Sequence, residues 1–132
     1  GAIVGDLGFV SLSIFWGNSD GRGTIGISQI KADRVYHSCV MNMLVAEPGE
    51  DPPDPGHFPG STDLDPMFVD AAMGDFRLLS FSPCVDAADN TAFPAWATAD
   101  VEGLPRFVDD PNVPDTGVGF APIADMGPHE RQ

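Results

Sequence analysis

Residues 65–90 read DPMFVDAAMGDFRLLSFSPCVDAADN. The stretch opens on Asp65-Pro66 and continues with the apolar run Met67-Phe68-Val69. Met73-Gly74-Asp75 supplies a turn, and Phe76-Arg77-Leu78-Leu79 follows as a second short run. Two short strands around a tight turn are the expectation. Ser82-Pro83 forces an extended corner, because the proline ring disfavours helical backbone at the residue before it. Cys84-Val85 is then an apolar pair to bury, and Asp86, Asp89 and Asn90 gather in a loop. No catalytic constellation is legible in the stretch; it reads as short strands docked around corners.

Upstream, Val10, Leu12 and Ile14 alternate with Phe9, Ser11 and Ser13, which predicts a strand within 9–16. Gly17 to Gly21 closes it as a turn. Thr24 to Ile30 predicts a second strand, broken by Asp33 and Arg34, and Val35 to Val40 a third. Both a hairpin meander and one and a half turns of a β-solenoid fit this spacing. Residues 46–63 hold five Pro and three Gly, so a long surface excursion is expected, with His57 solvated in it. Downstream, Trp96 and Phe107 read as anchors and residues 109–119 as an Asp/Pro/Gly loop. Ile123 and Met126 are expected to point inward.

The 132 residues are enough for one domain with a core, and 42% of them are apolar. Fifteen Gly and 13 Pro exclude long helices. Twenty acids stand against 6 basic residues, a net charge of −14. Sixteen of the acids are Asp, a turn former rather than a helix former. Nucleic-acid binding is excluded as a class, since phosphate contacts need a basic patch. No apolar run approaches the roughly 18 residues of a membrane span. Cys39 and Cys84 are too few for a disulfide framework, and nothing in the spacing fixes whether they are bonded. Gly1 is not preceded by Met or a signal segment, so a mature piece or a fragment is expected.

Asp109, Asp110, Asn112 and Asp115 place oxygen ligands in one loop, a pattern that suits calcium. Arg77 and Arg106 are expected to pair structurally with acids, Asp86 and Asp100 being the favoured partners. The carboxylate pairs Asp86/Asp89 and Asp109/Asp110 are the candidates for acid–base work on a glycan. No Ser/His/Asp arrangement, phosphate loop or zinc spacing accompanies them.

The ordered motifs DPMFVD (65–70), GDFRL (74–78), SPCVDAADN (82–90), TADVEGLPRF (98–107) and DMGPHE (125–130) resemble a known pattern. They are similar to the C-terminal, choice-of-anchor Q type region of bacterial right-handed parallel β-helix surface proteins. IFWGNS, SQI and VYHSCV upstream resemble the same family, so the likeness spans about residues 9–130. Ala88 stands where the family has Gly, Pro128-His129 replaces Ala-Tyr, and Met41-Asn42-Met43 lacks a Gly pair.

The resemblance implies an all-β fold: the last coils of a parallel β-helix over 1–45, a loop excursion over 46–64 and a capping segment over 65–132. It implies an extracellular or cell-surface location and a noncatalytic structural or binding role, and carries no catalytic residues. A pectate-lyase-like glycan-active enzyme and a calcium-dependent surface module are the alternatives. Partners in keeping with it are upstream coils, carbohydrate, or a second copy joined through residues 1–16. An N-terminal strand folded back as a cap is the monomeric option.

Overall fold

The computed structural model describes residues 3–18, 30–46 and 49–132. Of the strand expected over 24–30 and the turn expected over 17–21, residues 19–29 lie outside the described residues. Strand β1 (Ile3–Ser11) pairs in parallel with β3 (Ile30–Tyr36), bringing Val10 beside Val35. Both valines are buried, whereas Phe9 on the opposite face of β1 is 67% exposed. Asp33 and Arg34 do not break β3; they are exposed along it, since parallel pairing uses only the backbone there. The break comes at His37 instead.

Strand β2 (Ile14–Phe15) pairs in parallel with β4 (Cys39–Val40). The register of β1–β3 carries on unchanged into β2–β4, and the corner between the two pairs falls at Leu12 (φ 57°) and His37 (φ 40°), which align in that register. A third layer follows. Thr62 bridges Cys39 in parallel, with Val40 N donating to Thr62 O at 2.8 Å and Thr62 N to Ser38 O at 2.9 Å. Gly60 (φ 67°) falls opposite His37, and a Cβ there would lie 2.5 Å from the imidazole Cε1, so only glycine fits. Residues 46–64 are thus more than an excursion: Pro55–His57 is a 3₁₀ turn, Phe58 is buried beside Phe15 and Val40, and His57 is exposed.

Past Thr62 no further strand joins this stack, and the next parallel pairing is the isolated bridge between Asp89 and Val118. Strands β5 (Phe68–Asp70) and β6 (Asp75–Leu78) form an antiparallel hairpin around Ala71–Met73 and left-handed Gly74. This is the hairpin that the Gly-Asp turn predicts. The expected all-β, parallel β-helix architecture is not what forms. The described strands make three separate two-stranded sheets, no closed solenoid is present, and most of the described chain is turn and loop. The cause is compositional: proline removes donors and glycine and aspartate favour turns, so residues 79–132 cannot sustain a ladder.

Two cores result. One holds Val10, Phe15, Val35, Val40 and Phe58; the other holds Leu78, Cys84, Val85, Ala88, Ala124 and Met126 with Cys39. Cys84, Val85, Ile123 and Met126 are inward as the sequence predicts. Trp96 is not an anchor, being 82% exposed; Phe107 stacks edge-on against Phe93 at 5.5 Å instead. Cys39 and Cys84 are buried free thiols, and a thiol contact with Cys84 together with burial pushes Cys39 up. Ser82 ties the corner, donating to Pro66 O at 2.7 Å and accepting from Cys84 N at 3.1 Å.

Segments 86–90 and 116–118 run side by side, with Thr116 N and Gly117 N on Asp86 O and Val118 N on Ala88 O. A Cβ on Gly117 would fall on the Ala88 carbonyl oxygen, 2.5 Å from Ile123 Cγ2 and 2.9 Å from the Ala87 carbonyl carbon. Two of these contacts are hydrogen-bonded backbone, which cannot give way as a side chain can. Gly117→Ala therefore costs about 1–3 kcal/mol in urea unfolding, the range for overpacking a tight site. A loss of only a few tenths would show slack between the segments.

Candidate functional site

The ionisable groups of the second half converge on one knot of turns. Asp86 sits at its centre with left-handed backbone (φ 50°) and is fully buried. The left-handed residue is Asp86 and not Ala88, so alanine at 88 carries no left-handed backbone strain. Asp86 N donates to Asp125 Oδ1 at 2.9 Å, and Arg131 N donates to Asp125 Oδ2 at 2.7 Å. Asp125 N in turn donates to Glu130 Oε2 at 3.0 Å, and Val108 N to Glu130 Oε1 at 3.1 Å. Each carboxylate closes a turn that has no ladder to close it.

Arg106 is buried and gives its guanidinium to carbonyls, donating to Asp125 O at 2.8 Å and Gly127 O at 2.5 Å. Its Nε lies 3.9 Å from Glu130 Oε2, and its plane sits 5.1 Å above the Phe93 ring. Asp100, one of the two partners expected for the arginines, is used by backbone: Glu102 N and Leu104 N donate to Oδ1, and Glu130 N to Oδ2. Arg77 does not reach Asp86. It pairs with Asp75 two residues away at 2.5 Å, in the open. A pair so close in sequence orders no long-range contact.

The electrostatics follow from burial. Desolvation and the nearby Asp125 charge push Glu130 up to about 8, against the pull of its backbone donors and Arg106. Desolvation pushes Asp125 up to about 6. Burial, with Asp125, Asp115 and Asp109 around it, pushes Asp86 up to about 7. At Asp100 burial pushes up, but three backbone donors hold the carboxyl below its usual range. Arg77 holds the exposed Asp75 down to about 2.

The expected calcium loop divides. Asp110 is buried in an ion pair with Arg131, which also donates to Ser80 Oγ at 2.7 Å. Asn112 donates to Asp110 Oδ1 through both N and Nδ2 at 3.0 Å. Asp109 and Asp115 are exposed, and their carboxylates come together with that of Asp86. Among the described residues, two side-chain clusters could hold a metal ion: Asp86, Asp109 and Asp115, and Asp100, Glu102 and His129. The acid–base candidates also separate, since Asp89 caps Thr91 through its N and Oγ1.

No family model, curated protein or solved structure matches this chain. Sequence reading missed Asp125, Glu130 and Arg131, whose partners lie across turns with no periodicity. One signal was available for Asp125: it stands between Ala124 and Met126, of which Met126 reads as inward. Away from the knot, a cleft of about 600 Å³ is lined by Trp16, Phe68 and Phe76 with Leu12, Ile14 and Asn18.

Proposed function

We propose that this chain is a noncatalytic structural and binding segment of a secreted or cell-surface protein. The observation that carries this reading is how the ionisable groups are used. Asp86, Asp110, Asp125, Glu130, Arg106 and Arg131 bind backbone and one another, holding turns together. A lyase or hydrolase needs such groups facing substrate at matched separations. The likeness to choice-of-anchor Q surface segments supports the extracellular location, and calcium fits as a structural ion on hard carboxylate oxygens.

Binding has two candidate faces. Among the described residues β1 pairs only with β3, and the exposed Phe9 lies on it. An edge of this kind takes up a further strand, and a second copy of the chain is the partner we assign to it. The aromatic cleft at Trp16, Phe68 and Phe76 suits a sugar ring by stacking.

Sedimentation velocity tests the reading. Self-association should increase between about 0.05 M and 0.5 M salt, where the Debye length shrinks below the separation of surface charges and the −14 charge is screened. Phe9→Asp should abolish it. A monomer at both salt concentrations would remove the β1 edge as a docking face. Turnover of polygalacturonate or another acidic glycan by the purified chain would overturn the noncatalytic reading.

A further inference from the structure

Asp86 holds an unusual oxygen. Its Oδ2 accepts from Asp110 N at 3.3 Å, but its Oδ1 is buried without a hydrogen-bond partner. A buried carboxylate oxygen left bare is costly, so it must be protonated, hydrated or bound to a cation. Carboxylate oxygens of Asp109 and Asp115 lie with that of Asp86 inside a sphere in which no two are more than 4.8 Å apart. A calcium ion with bonds of about 2.3–2.6 Å bridges oxygens up to roughly 5 Å apart. The three carboxylates can therefore share one ion without moving their backbones.

We propose that Asp86, Asp109 and Asp115 form a divalent-cation site of calcium type. Asp86 is the interior ligand, and Asp109 and Asp115 close over the ion from solvent. Arg131 is engaged by Asp110 in an ion pair. The ion staples the loop after Val108 to the Asp86 turn, two segments more than twenty residues apart in sequence. Asp110 and Asn112, which share the loop, take no part as ligands. This inference deepens the structural reading above, and it fails separately from it: absence of an ion leaves the noncatalytic role standing.

The experiment is calcium titration of the whole chain after EDTA treatment, by calorimetry and by melting temperature. Saturable binding with a Kd near or below about 1 mM, the range of extracellular calcium modules, is expected together with a rise in melting temperature. Asp109→Asn and Asp115→Asn change exposed residues and keep the fold, so they report on the site without disturbing the buried Asp86. Each should weaken binding at least tenfold, while Asn112→Ala leaves it unchanged. No heat and no melting shift up to about 10 mM calcium, ten times the weakest such Kd, would overturn the site. So would binding that survives both Asp109→Asn and Asp115→Asn, or binding lost in Asn112→Ala.

Discussion

In EDTA, folding stability should fall by about 2–4 kcal/mol between pH 5 and pH 8, at about 1.4 kcal/mol per proton per pH unit. Most proteins hold level or gain over this range. Glu130 is the main cause. The unfolded chain gives up that proton near the ordinary glutamate range, whereas the folded chain keeps it to about 8. Between those values the folded state binds the extra proton, so each step up in pH favours unfolding. Asp86, raised to about 7, and Asp125, raised to about 6, act in the same direction over the lower part of the window. Asp75 and Asp100 act oppositely. Their folded carboxyls are depressed, so their contribution is present above the ordinary aspartate range and is lost on acidification below it. The two trends place the optimum near pH 4–5. Urea unfolding at pH 5, 6.5 and 8 measures the slope, and melting temperature should track it at about 4 °C per kcal/mol. Stability that is level or rising over this range would mean Glu130 and Asp125 are ionised in the folded state.

What the sequence made legible follows from how far apart the cooperating residues lie. The 68–78 hairpin is local: Gly74 must be left-handed, and the apolar runs flank it closely. Cys84, Val85, Ile123 and Met126 are apolar residues beside corners, so their burial follows from hydrophobicity alone. The strand break at His37 was hidden, because nothing at His37 itself marks a left-handed residue. It becomes intelligible only beside Leu12 and Gly60, which stand in the same column of the stack. Solenoid closure failed for a related reason. Motif order fixes which turns occur but not whether their backbones pair, and proline-dense segments leave pairing to side chains. The metal candidates show the same divide: Asp109 and Asp115 were visible in one loop, whereas Asp86 joins them across a gap that no spacing rule spans.

Arg106→Met should cost about 3–5 kcal/mol at pH 7, the usual loss when one partner of a buried charged network is removed. Methionine keeps most of the apolar stem, so the change isolates the guanidinium. The Asp125 and Gly127 carbonyls, which both accept from Arg106 Nη2, are then left without their donor. Glu130 loses its guanidinium partner at 3.9 Å, and Phe93 loses the cation over its face. The loss should be larger at pH 8 than at pH 5, because an ionised Glu130 without Arg106 is the costlier state and a protonated one is not. Arg77→Met is the matched control. Arg77 is exposed and paired only with its neighbour Asp75, so its removal should change stability by less than about 1 kcal/mol. Urea unfolding of both variants at the two pH values separates the cases. Arg106→Met within about 1 kcal/mol of the parent would show that the knot repacks around a neutral side chain, as some buried ion networks do. Equal losses at pH 5 and pH 8 would remove Glu130 as the group that Arg106 serves, and leave the two carbonyls as its whole purpose.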